Sequence, residues 1–102
     1  MKETDIFEEL YGVVEDRREQ LPRESYTTSL FTHERGQNGV LEKIGEESTE
    51  VVLAAKDESE EQLVAESADL IYHVFVLLAM HDIELASLCG ELADRRGKTD
   101  DE

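Results

Sequence analysis

The chain has one cysteine, one proline, no tryptophan and only four lysines among 102 residues. Each shortage removes a class of protein. A lone Cys89 forms no internal disulfide, so a small secreted scaffold held by bridges is excluded. Its helical spacing after Leu85 predicts a plain buried cysteine rather than a reactive thiol. The longest unbroken apolar run is the seven residues Val74 to Met80. A membrane span needs about twenty. No signal peptide is visible, so the expected location is cytoplasmic with no membrane partner. Basic residues are also few, 10 against 26 acids, for a formal charge of −16. A general nucleic-acid binder needs a basic face, and this chain has none to offer.

What is present is apolar mass and acid. Leu, Ile, Val and Phe number 27, enough for one folded domain, expected over residues 1–97 with an acidic frayed tail at 98–102. Acids are spread over every segment. That suits a solvated surface in a salty cytoplasm, while a DNA mimic or acidic interaction protein is the other reading.

Two pairs of acids stand apart from the rest. Glu47 with Glu50, and Glu66 with Asp69, are each spaced i, i+3, with fifteen residues between the pairs. At 100° per residue, Val40, Ile44, Val51, Ala54 and Ala55 share a helical stripe, and Glu47 falls inside it. Glu50 and Lys43 lie on its edge. On the next helix Leu63, Leu70, Val74, Leu77 and Leu78 form the stripe, with Glu66 at its border and Asp69 and His73 close by. A carboxylate on a core-facing stripe is costly unless it is paired or holds a metal. If the two helices pack antiparallel, the four acids can converge on a hard cation, Mg²⁺ or Mn²⁺. These features alone leave the metal site and an ordinary acid-rich helix surface equally open.

The remaining pattern is helical throughout. Thr4 or Asp5 caps a first helix to about Gln20, ended by Leu21-Pro22. Ser25 caps a short helix from Tyr26 to about His33. Residues Glu34 to Gly39 read as a loop, and a third helix runs from Asn38 or Gly39 to about Asp57. Ser59, with Gln62 at the reciprocal position, predicts a capping box opening a fourth helix to Met80 or His81. A last helix starts at Asp82 or Ile83 and ends at Gly97. The fourth helix is apolar on most sides beyond Leu70, with Phe75, Val76 and Ala79 off the main stripe. A second copy of the chain is the simplest cover for that extra face, giving a homodimer or dimer of dimers.

A di-iron bundle would add Glu-x-x-His pairs, which the two acid pairs do not supply, so the donors point to Mg²⁺. His73 reads as a packed or hydrogen-bonded histidine more than a ligand. No phosphate-binding Gly-x-x-x-x-Gly-Lys loop and no Ser-His-Asp arrangement occurs.

Glu46-Glu47-Ser48-Thr49-Glu50 followed by Glu66-Ser67-Ala68-Asp69 resembles the signature of the all-α MazG-like nucleotide pyrophosphohydrolases. Ser25-Tyr26-Thr27, Leu30-Phe31, Lys43-Ile44-Gly45-Glu46-Glu47, Glu50-Val51-Val52, Ala54-Ala55-Lys56 and Asp69-Leu70-Ile71-Tyr72-His73 more closely resemble the phosphoribosyl-ATP pyrophosphohydrolase family of histidine biosynthesis. The likeness covers about Leu10 to Arg96. The loop at 34–39 is longer than is usual there, and Glu42 stands where many relatives carry a second base before Lys43.

The resemblance implies an all-α, MazG-like bundle of four to five helices completed by dimerisation. It implies hydrolysis of 1-(5-phosphoribosyl)-ATP to the AMP form and pyrophosphate. Glu47, Glu50, Glu66 and Asp69 would hold Mg²⁺, with Mn²⁺ as a substitute. Glu46 would orient water, Lys43 would meet a phosphate, and Tyr26, Tyr72 and His73 would border the nucleotide. A house-cleaning pyrophosphohydrolase acting on dUTP, dCTP or damaged nucleotides is the nearest alternative. A non-enzymatic acidic helical protein is the alternative of another class.

Overall fold

The computed structural model describes residues 2, 3 and 5–100. Thr4, Asp101 and Glu102, named above as a cap and as part of the tail, lie outside the described residues. Five helices follow one another: α1 (Asp5–Gln20), α2 (Tyr26–Thr32), α3 (Gln37–Lys56), α4 (Glu60–Met80) and α5 (Leu85–Asp100). No strand occurs among the described residues.

Local chemistry sets the boundaries. Ser25 Oγ accepts from Thr28 N at 3.2 Å and Ser59 Oγ accepts from Gln62 N at 3.3 Å, so both serine caps form as predicted. The reciprocal half of the second capping box does not form. Ser59 N–H donates instead to the Ala54 carbonyl at 3.2 Å, across the turn. That bond belongs to a C-terminal lock on α3 in which Glu58 sits at φ 57°. The same lock ends α4: Ile83 N donates to Leu78 O, Asp82 N donates to Ala79 O, and Asp82 sits at φ 58°. It takes up Asp82 and Ile83, so α5 begins at Leu85 rather than two or three residues earlier. At its other end α5 continues through Gly97 to Asp100. Helix α3 begins inside the predicted loop, at Gln37, because Gly36 adopts φ 52° and turns the chain directly into it.

Helices α3 and α4 form the principal pair, antiparallel across the turn at 57–59, and α1 and α2 pack over one side of it. Val14, Val40 and Val76 are fully buried, with Tyr11, Phe75 and Ala79 around them. Each such side chain contributes about 1.5–3 kcal/mol when removed from water. Phe75 meets Tyr11 edge to face at 5.4 Å and Phe7 at 6.0 Å. The Tyr11 hydroxyl donates to the Ile83 carbonyl, and Arg18 donates to the Ala79 carbonyl and to Asp82. Two side chains of α1 therefore fasten the end of α4.

This packing corrects the reasoning behind the predicted second copy. Phe75, Val76 and Ala79 are not a surplus face; α1 covers them within the chain, and they are the core. Leu70, Val74, Leu77 and Leu78, predicted as the main stripe, are only half-buried, and Ala55 is exposed. Apolar residues left in solvent include Val52, Leu53, Val64 and Ile71 on the α3–α4 pair, Ile6 and Val13 on α1 and Leu92 on α5. Helix α5 packs only lightly on the rest, and Cys89 on it is exposed, not buried.

Length and hydropathy alone would let α4 pass for a membrane span, with an 18-residue window at mean hydropathy 1.7. Counting only unbroken apolar runs missed this, because Tyr72 and His73 interrupt the run without lowering the average much. His73, Phe75, Val76 and Ala79 of this helix are buried against α3 and α1, and most of the rest of the window is not.

Candidate active site

Glu47 lies on the face of α3 that meets α4, between Ile44 and Val51, as its stripe position predicts. Its side chain is 13% exposed. Opposite stands His73 of α4, whose Nδ1 is 2.8 Å from Glu47 Oε1. The same Nδ1 is 3.0 Å from the Asp69 carbonyl and is aligned with it. Glu47 Oε1 is buried and has no well-aligned hydrogen-bond donor among the described residues. Burial pushes the Glu47 carboxyl above the usual carboxylate range. His73 pulls it back down, the Asp69 carboxylate raises it further, and Lys43 lowers it. Glu47, Asp69, His73 and Lys43 are thus close enough to feel one another's charge.

The other predicted residues stand further out. Glu46, Glu50, Asp69 and Lys43 are exposed, and Glu66 is half-buried. Among the described residues, no three His, Cys, Asp or Glu side chains are gathered closely enough to share one ion. The structure therefore joins α3 and α4 at Glu47 and Asp69 but does not gather all four acids. The donor chemistry still suits a hard cation. All four groups are carboxylates, and the buried Glu47 Oε1 has no well-aligned donor among the described residues.

Tyr26, Tyr72 and His73 come together beside this point. Tyr26 stacks on Tyr72 with ring centroids 6.2 Å apart and planes at 26°. Tyr26 is half exposed, Tyr72 half-buried, and His73 buried. Thr27, buried on α2, shares a hydrogen bond with the Tyr72 hydroxyl. The sequence reading missed Thr27.

Near Lys43, a small cleft of about 160 Å³ is lined by His33, Arg35, Gly36, Gly39, Glu42 and Lys43. Glu42 pairs with Arg35, whose hydrogen bond, helped by its charge, holds its carboxyl low. A wider cleft, about 540 Å³, lies between α1 and α5 and contains none of the predicted site residues. Its walls carry Glu8, Glu15 and Glu84, which would repel a polyphosphate.

Comparison with known proteins gives the family. Residues 7–96 match the family model described as phosphoribosyl-ATP pyrophosphohydrolase. The chain belongs to that family. It is 56% identical over 92 residues to a phosphoribosyl-ATP pyrophosphatase of Haloarcula marismortui, covering 90% of this chain and 94% of the relative. It is 58% identical over 90 residues to the protein of that name from Haloquadratum walsbyi, covering 88% and 90%. A relative with the same name from Pelotomaculum thermopropionicum is 49% identical over 98 residues, covering 96% and 98%. The chain is therefore a hydrolase by family, and its acidic composition fits relatives from halophilic archaea. The family match spans α1 through most of α5, so both acid pairs and the Tyr26 cluster fall within it.

Proposed function

We propose that this chain hydrolyses 1-(5-phosphoribosyl)-ATP to 1-(5-phosphoribosyl)-AMP and pyrophosphate, the second step of histidine biosynthesis, in a Mg²⁺-dependent reaction in the cytoplasm. The observation that carries the reading is the buried Glu47 carboxylate facing α4, its Oε1 2.8 Å from His73 Nδ1 but not well aligned with it, within a family match covering nearly the whole chain. Glu47 and Asp69 would hold the cation, and Glu50 and Glu66, which stand further out on the same helices, would complete its shell only by moving in. Bound Mg²⁺ supplies neutralisation of phosphate charge and a more acidic water.

The chain's own residues do the rest. Glu46, exposed beside Glu47, orients the attacking water and accepts its proton. The water oxygen bonds to phosphorus, the bond between the first and second phosphates breaks, and pyrophosphate leaves with that electron pair. Lys43 offers an ammonium to the phosphates, next to a cleft that also holds His33 and Arg35. The stacked Tyr26 and Tyr72 pair presents an exposed ring face to the nucleotide. A turnover panel tests the choice of substrate. Phosphoribosyl-ATP should be cleaved at least about a hundredfold more efficiently than dUTP or dCTP, the scale of discrimination available to polar contacts. Equal or better turnover of a simple deoxynucleotide would replace this reading with a house-cleaning one.

Self-association is part of the proposal. The chain exposes 7650 Å², whereas a compact monomer of its mass exposes roughly 5,800 Å². Its radius of gyration is 15.2 Å, against about 13 Å for a compact domain of this length. Val52, Leu53, Val64 and Ile71 supply apolar surface for a second copy. Sedimentation in molar salt should give at least twice the chain mass of 11.6 kDa. A monomer at micromolar concentration would refute this.

A further inference from the structure

A buried histidine must satisfy both ring nitrogens or cost the fold. His73 is 5% exposed. Its Nδ1 faces two oxygens, the Asp69 carbonyl at 3.0 Å and Glu47 Oε1 at 2.8 Å. A carbonyl and an ionised carboxylate only accept, so Nδ1 carries the ring proton. Nε2 is then the acceptor, and it meets the Tyr26 hydroxyl at 3.3 Å, which must donate. The ring is boxed as well as bonded. Tyr72 lies edge-on at 4.9 Å and Tyr26 edge-on at 6.3 Å. Tyr72 is itself tied to Thr27 of α2.

One proton therefore serves two acceptors. The Asp69 carbonyl is well aligned with it, while Glu47 Oε1 is near but not satisfied. That arrangement holds a carboxylate in place and leaves its lone pairs available. It differs from the substrate contact that sequence position suggested for His73, because the imidazole has no free nitrogen and almost no exposed surface to offer.

We propose that His73 is a positioning residue for Glu47, fixed in its Nδ1–H tautomer by the Tyr26 hydroxyl, so that α2 helps set cation affinity at the α3–α4 acids. The inference rests on the cation-binding reading above and names residues that act on it from behind. Groups that orient a metal-holding side chain typically change metal affinity by 10- to 100-fold when removed.

The test is Mn²⁺ titration of the full chain without substrate, with free Mn²⁺ followed by electron paramagnetic resonance. His73→Leu should weaken Mn²⁺ by about ten- to a hundredfold. His73→Asn keeps an N–H close to the Nδ1 position and should recover most of the affinity. His73→Gln places its amide near the Nε2 position and should not. Tyr26→Phe keeps the exposed stacking ring and should weaken Mn²⁺ in the same direction by less. It serves if the buried variants melt below the working temperature. At saturating Mn²⁺ the KM for phosphoribosyl-ATP should be unchanged in His73→Asn. Parental Mn²⁺ affinity in folded His73→Leu, or equal losses in the Asn and Gln variants, would overturn the inference and leave the functional reading standing. A raised KM with unchanged Mn²⁺ affinity would also overturn it, in favour of substrate contact. If the parent itself binds no Mn²⁺, this inference and the cation reading both fall.

Discussion

Glu47→Gln and Asp69→Asn should each lose at least about a hundredfold in turnover, the scale of removing an important electrostatic contact in an active site. The loss should not come from unfolding. Glu47 is a largely buried carboxyl whose proton affinity is raised first by burial and further by Asp69. An ionised group in that position costs the fold at neutral pH. Its folded-state pKa lies above the unfolded one, so the cost is absent below the unfolded value. It grows as pH rises between the two values and is complete above the folded one. Glu47→Gln should therefore melt no lower than the parent at pH 7 without divalent cation, and the difference should shrink as the solution is acidified below about pH 4. Asp69 is exposed, so Asp69→Asn should change stability little. Adding Mg²⁺ or Mn²⁺ should raise the melting midpoint of the parent by linkage and raise that of both variants much less. Glu60→Gln, at the exposed start of α4, should alter neither property. Circular dichroism melts together with steady-state turnover read both halves of the prediction.

The melting midpoint should climb steeply with salt. A charge of −16 on 102 residues repels itself, and the repulsion reaches about 30 Å at 0.01 M salt but only about 3 Å at 1 M. The described ion pairs offset little of it. Arg17–Asp16, Arg18–Asp82, Arg35–Glu42 and Arg95–Glu91 all lie at least partly in solvent, where water and salt screen such pairs and leave them little to contribute. Relief of only about 2 kcal/mol moves the midpoint of a domain this size by roughly 10 °C. Melts in KCl from low to molar concentration should show at least that rise. A flat profile would refute the view that the acidic surface is built for a salty interior, while leaving the active site untouched.

The helices and two of their caps were legible in the sequence because they rest on near-neighbour chemistry. Ser25 and Ser59 each lie three residues before the amide they cap. Glu47 was legible as an acid out of place, since helical phase alone puts it among Val40, Ile44 and Val51. Other features depend on partners that periodicity cannot see. Leu21, Glu58 and Asp82 all have positive φ, a conformation that pattern reading expects of glycine. The bonds that enforce it at Glu58 and Asp82 come from backbone several residues back. Phe75, Val76 and Ala79 looked surplus because nothing in α4 announces that Tyr11 and Val14 will cover them. Cys89 looked buried because its spacing is right, yet α5 barely packs on the bundle. Helix phase put the four acids on facing sides of α3 and α4, but it does not give the distances between them, and in the fold only Glu47 and Asp69 stand near each other. His73 was noticed, but its bond partners lie on α2, α3 and one turn back on α4, and only the assembled fold brings them together.

Pyrophosphate release from phosphoribosyl-ATP by the unmodified chain, measured in molar KCl after removal of divalent cations and again with millimolar Mg²⁺, tests the central claim most directly. Turnover should be absent in the first condition and should return with Mg²⁺ in the second, with one phosphoribosyl-AMP formed per pyrophosphate. Equal turnover in both conditions would contradict a cation-dependent centre at Glu47 and Asp69, and no turnover in either would contradict the assignment itself.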